Sequence, residues 1–169
     1  MVENNAPEHA KMDVVTEPQP DVASSDQVDC LSQMIMLGQQ EKLPEMDTIN
    51  EKLATLEERM GKSVRDHLGF GLVSASAIKV VDNLIGEFDE DNNLNGRGIF
   101  IHSDGTIVIG YFQDDVYVPG NFTRIYSWGE IRVGEIYLKD GEECCRETRY
   151  YEDGTTEEVD NWLRYEIIY

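Results

Sequence analysis

The chain has 169 residues and sets 34 Asp and Glu against 14 Lys and Arg, a formal charge of −20 at neutral pH. Such a field repels phosphate backbones and anionic headgroups; it excludes nucleic acid as an expected partner, disfavours a membrane surface, and favours a basic protein surface or a cation. No run approaches the 18 apolar residues of a membrane span, and three cysteines (Cys30, Cys144 and Cys145) with one adjacent pair make no disulfide framework, which points to a reducing, cytoplasmic setting.

The opening residues lack the basic and apolar regions of a secretory signal. Residues 1–29 hold seven acids, one Lys and no aromatic, punctuated by Pro7, Pro18 and Pro20. That composition cannot bury enough apolar surface to offset its ordering entropy, so a disordered acidic arm is expected. Residues 30–68 read as a helical neck. Val28, Leu31 and Ile35 fall at helical spacing, with Ser25 or Asp26 as candidate caps and Gly38 as a candidate stop. This island reads either as a brief helix packed on the domain or as a docking motif. A second helix is expected from the capping-box pattern Thr48-Ile49-Asn50-Glu51. Its stripe of Ile49, Leu53, Leu56 and Met60 resumes at Val64 and Leu68, with Gly61 as a kink or end. The stripe is too short for a coiled coil and is expected to pack on the chain's own sheet rather than dimerise.

From Leu84 onward the character changes: 14 of the 15 aromatics lie there, among recurring glycines and β-branched residues. This is strand and hairpin composition. A repeat of 24 residues runs through it, in Gly86, Gly110 and Gly134, in Gly96 and Gly120, in Gly105 and Gly129, and in the ring column His102, Tyr126 and Tyr150. The third copy slips by one residue, which puts Asp153-Gly154 25 positions after Gly129. Such a unit accommodates two short strands and two turns. Asp104-Gly105, Trp128-Gly129, Asp140-Gly141 and Asp153-Gly154 are the expected turns.

The stretch from Gly96-Arg97-Gly98 through Asp104-Gly105 to Gly110-Tyr111-Phe112 resembles a MORN repeat. Leu84-Ile85-Gly86-Glu87-Phe88 supplies the closing half of an earlier copy, which Gly69-Phe70-Gly71 would open, and degenerate copies follow to about residue 155. Val108, Phe122 and Cys144 depart from the family pattern. The resemblance implies a mainly β domain over residues 69–169: a single-layer, twisted antiparallel sheet of stacked β-hairpins, preceded by one or two helices. It also implies a non-catalytic interaction or scaffold module in a larger assembly, cytoskeletal or ciliary in type. A phosphoinositide-binding membrane adaptor is the alternative, and a small enzyme the reading with least support.

Expected contact residues are the rings Tyr111, Tyr117, Tyr126, Trp128, Trp162 and Tyr165, since aromatics dominate binding hot spots. No catalytic, cofactor or metal residue is expected. Asp91 to Gly96 mimics the start of a calcium loop, but His102 stands where a bidentate Glu belongs. Cys144 and Cys145 are expected to point to opposite faces, one buried and one exposed. The partner's identity and the oligomeric state are not encoded in any motif.

Overall fold

The computed structural model describes residues 26–162. Of the arm expected at 1–29, residues 1–25 lie outside that span, as does Tyr165. Residues 27–29 are ordered as strand β1 (Gln27–Asp29), which pairs antiparallel with β2 (Leu72–Ser74).

Three helices follow β1, one more than the sequence implied. Helix α1 (Cys30–Gln40) is capped by Asp29, whose carboxylate accepts the Ser32 amide at 2.8 Å. It runs through Gly38 instead of stopping there. A Cβ at that position would lie 2.7 Å from Met46 Cγ and 2.8 Å from Ile85 Cδ1, so the glycine lets the helix sit close against the sheet. Helix α2 (Ile49–Met60) starts at Thr48, but the threonine side chain makes no capping hydrogen bond. Gly61, in the left-handed conformation at φ +69°, ends it. Ser63 then caps a short α3 (Val64–Leu68), and Gly69 ends that helix in the same way.

The rest is one nine-stranded antiparallel sheet that meanders with almost no crossover. Its strands are β3 (Ile78–Val81), β4 (Leu84–Phe88), β5 (Leu94–Ile101), β6 (Ile107–Gln113), β7 (Val116–Tyr117), β8 (Gly120–Ile125), β9 (Ile131–Lys139), β10 (Glu142–Tyr150) and β11 (Thr156–Trp162). Strands β7 and β8 are halves of one bent strand, and both pair with β6. The first hairpin is β3–β4; residues 69–71 open no strand, and Phe70 is instead buried in the core.

Three hairpin turns are built alike. The amides of His102, Tyr126 and Tyr151 donate to the carbonyls of Thr106, Glu130 and Thr155. The glycine amides of 105, 129 and 154 donate back to the carbonyls of 102, 126 and 151, with φ between +85° and +96°. The ring column is therefore His102, Tyr126 and Tyr151, and Tyr150 belongs to the strand before it. The one-residue slip is introduced by the β9–β10 hairpin. It closes directly at Asp140-Gly141 with no register shift, whereas β4–β5 carries an irregularity between Gly86 and Phe88.

The sheet has two differently covered faces. On the helix side, Ile78, Ile85, Ile99, Ile101, Ile107, Ile109, Ile125 and Val133 pack against Cys30, Leu31, Met34, Ile35, Ile49, Leu53, Leu56, Val64 and Leu68. The fold is thus two-layered there, and not a bare single layer. On the reverse side the sheet covers itself. Gly86, Gly98 and Gly110 stand opposite one another across β4, β5 and β6. Leu94 fills the space over Gly98, and the Tyr117 ring fills that over Gly110. Leu94, Val108 and Phe112 form one buried cluster; Phe122, Ile136 and Cys145 form another.

Gly86 takes φ +154°, and a Cβ there would overlap the Arg97 carbonyl oxygen and lie 2.7 Å from Gly98 Cα. Because both obstacles are backbone, Gly86→Ala is expected to cost about 3 kcal/mol in urea or thermal unfolding. Gly141→Ala, strained at φ +80° but with nothing within 4 Å, should cost about 1 kcal/mol.

Candidate interaction groove

The helices cover the last three strands only in part, at Ile131, Val133 and Tyr150. Register places Tyr137, Glu135 and Val133 of β9 opposite Cys144, Arg146 and Thr148 of β10, and the last two opposite Asp160 and Glu158 of β11. Val133 packs against the helices, so by alternation this whole set faces the helix side. An open groove of about 640 Å³ lies there, floored by the strands and walled by Met60, Lys62 and His67. A second hollow of about 510 Å³ extends it along the same strands to Tyr137, Lys139, Cys144 and Asn161. Arg146 and Asp160 line both.

Long-range side-chain bonds fix the groove's wall. Arg59 donates to the carbonyls of Tyr151 and Thr155 at 3.0 and 3.1 Å and lies over the Tyr150 ring at 5.0 Å. Asn121 donates to the His67 carbonyl at 2.7 Å. His67 Nε2 lies 3.2 Å from the Phe122 carbonyl and 3.1 Å from that of Gly134. Two acceptors around one nitrogen require that nitrogen to carry the ring proton.

The groove's charge is mixed and exposed at its rim. Arg146 lies 3.6 Å from Glu135 and 3.4 Å from Asp160, and all three side chains are well exposed. Exposed ion pairs of this kind contribute little to stability and are free to exchange partners. Tyr137 donates to Asp160 at 2.9 Å, and Arg146 covers its ring at 5.4 Å. Beside the groove β11 adds Glu157 and Glu158, so the edge of the sheet is acidic.

The reverse side of these strands is a rigid ionic floor. Arg124, Arg132 and Arg149 stand side by side on β8, β9 and β10. Glu147, only 5% exposed, accepts from Arg149 at 2.7 Å and lies 3.7 Å from Arg132. Arg132 also pairs with Glu130 at 2.6 Å. Arg124, 7% exposed, donates to the Tyr126 hydroxyl at 3.1 Å and lies 5.8 Å from the Phe122 ring centroid.

The expected contact rings divide into groups. Tyr111 is half-buried, with its hydroxyl donating to the Leu68 carbonyl at 2.6 Å and its ring edge-on to Phe70 at 5.3 Å. Tyr117 is edge-on to Phe112 and Phe122, and burial pushes its phenol well above the usual range. Both rings serve the interior. Tyr126 and Trp128 stack at 4.3 Å at a turn tip, where Trp128 is 57% exposed. Trp162 closes β11 opposite Cys144, away from that tip. The groove residues His67, Glu135, Arg146 and Thr148 were not singled out from the sequence as contacts. Contacts across the fold, of Arg59 with the last turn and of His67 with β8 and β9, shape the groove, and no local motif marks them.

Both thiols of the adjacent pair are buried, where one was expected to be exposed. Cys144 faces the groove's side and Cys145 packs with Phe122 and Ile136. Burial pushes the Cys145 thiol up to about 12 and the Cys30 thiol up to about 11, so neither supplies thiolate near neutral pH. Among the described residues no group of three or more His, Cys, Asp or Glu is placed to hold a metal ion. In the loop that mimics a calcium site, the amides of Asp91 and Asn93 donate to Asp89, which precedes the loop, at 2.9 and 3.0 Å. Among the described residues no helix is long and apolar enough to cross a membrane.

Burial lowers the proton affinity of both His67 and His102 below the ordinary 6.5. The folded chain refuses a proton that the unfolded chain accepts. Stability present above pH 6.5 is therefore lost as the pH falls below it, before carboxylates titrate. Urea midpoints at about pH 7.5 and about pH 5.5 should show this fall, shallower in His67→Gln and nearly absent in a His67→Gln/His102→Gln double variant. An unchanged slope in the double variant would place the proton uptake elsewhere.

No protein-family model matches the chain, and no curated protein matches it.

Proposed function

We infer that the protein is a non-catalytic interaction module of MORN-like hairpins, an adaptor or subunit within a larger assembly of cytoskeletal or ciliary type. The 24-residue spacing and the three turns with matching hydrogen bonds support the repeat reading. The single observation that carries the interaction reading is the part of the helix-side face of β9, β10 and β11 that the described helices leave open. Elsewhere on that side the helices seal the sheet; here they leave a groove of about 640 Å³ with exposed, exchangeable ion pairs.

The occupant best matched to this groove is a protein segment bearing basic residues. Glu135, Glu158 and Asp160 outnumber Lys62 and Arg146 along it, within a chain of charge −20. A partner cation can displace Arg146 from Asp160 or Glu135 at small cost, because those pairs are solvent-exposed. Apolar ground for the partner's side chains comes from Met60, Val133 and Tyr150.

The test blocks the groove without altering charge. Thr148 faces it and is partly exposed, so Thr148→Trp fills it. Fluorescence anisotropy with arginine-rich and glutamate-rich peptides of equal length should show binding of the first only, weakened roughly tenfold by Thr148→Trp. Equal binding of both peptides, or of neither, would remove this reading.

A further inference from the structure

The three equivalent turns provide an internal comparison. In the first, Asp104 precedes the glycine and its carboxylate accepts the Thr106 amide at 2.9 Å. In the third, Asp153 precedes the glycine and accepts the Thr155 amide at 2.8 Å and its hydroxyl at 2.6 Å. An acid at this position locks the turn through its own backbone two residues on. In the second turn the same position is Trp128. Indole carries a donor and no acceptor, so this lock is absent. The tryptophan is only partly buried in exchange and stays 57% exposed. It is held instead in a defined pose, stacked on Tyr126 at 4.3 Å with Nε1 donating to Glu130 at 3.2 Å. Arg132 lies 4.7 Å from the Tyr126 ring centroid and is neutralised by Glu130 at 2.6 Å.

A large ring that forgoes the turn lock, is held in one pose and keeps more than half of its surface open is placed to meet a group outside the chain. The geometry points to Trp128 as the anchor of an interaction surface for an arginine or lysine side chain on a protein partner. The exposed indole offers a π face to the cation. Glu130 edges the ring, and the Glu152 carboxylate of the next turn lies against Gly129. The chain's net charge of −20 favours the approach of a cation. This inference rests on the interaction-module reading, but it names a contact on a turn tip and not in the groove.

The test replaces Trp128 with the residue found in the sister turns. Trp128→Asp restores the missing acceptor and adds a negative charge. It should raise the melting temperature by roughly 2–5 °C and weaken binding of an arginine-rich peptide by roughly tenfold. Purely long-range attraction predicts the opposite sign for binding, since the variant is more acidic. In the full chain, with Trp162→Phe used to assign the two indoles, the Trp128 Nε1–H resonance should shift saturably with the arginine-rich peptide and not with its glutamate-rich counterpart. A stationary indole, or unchanged or tighter binding by Trp128→Asp, overturns the proposal. A lower melting temperature in that variant also overturns it, because Trp128 would then hold the turn. If Thr148→Trp weakens binding while Trp128→Asp does not, the groove reading stands alone; if the wild-type chain binds neither peptide, both fall.

Discussion

A single sheet has two faces to protect from water, and among the described residues helices cover only part of one. The reverse face is closed by a packing constraint: glycines 86, 98 and 110 face one another across three strands. Their missing side chains leave room for Leu94 and Tyr117 to fold down from the hairpins. The sheet therefore supplies its own cover where the described residues form no second layer. Everything else follows the helix side, where the isoleucine stripe of β3 to β8 meets α1, α2 and α3.

This division explains why the last three strands differ from the rest. They are covered by the helices only in part, and their stability comes from charge as well as from apolar contact. The buried Glu147 serves Arg132 and Arg149 together, which holds β9 and β10 in register from behind. With the reverse side rigid, the helix side can carry loose, exposed ion pairs without loss of shape. A firm floor beneath an adaptable rim suits recognition of a flexible segment.

Much of the architecture was legible in the residue pattern. The glycine and ring spacing announced hairpins, and the apolar stripe of α2 announced a helix that packs on the sheet. Local signals failed where tertiary packing overruled them. Gly38 looked like a helix stop because its role, close approach to Met46 and Ile85, depends on segments distant in sequence. Thr48 has the residue pattern of a capping box without the bond. Tyr150 was placed in the ring column because spacing alone cannot say where an extra residue is absorbed; the direct Asp140-Gly141 hairpin absorbs it, so the ring is Tyr151. The groove was invisible, since its wall depends on Arg59 and His67 reaching partners far along the chain. Trp128 was legible as an exposed ring at a turn. Its meaning came only when the carboxylates of Asp104 and Asp153 were seen bonding the backbone that it leaves alone.

The reach of Arg59 also bears on how the chain is made. Its guanidinium closes on carbonyls 92 and 96 residues further along. During vectorial synthesis the helical neck emerges first and can settle on the early hairpins as each is added, since the meander pairs neighbours in order. The final hairpin is latched to the neck only after most of the sheet has left the ribosome. Until that moment the wall of the groove rests on the contacts of His67 with β8 and β9, without the Arg59 latch.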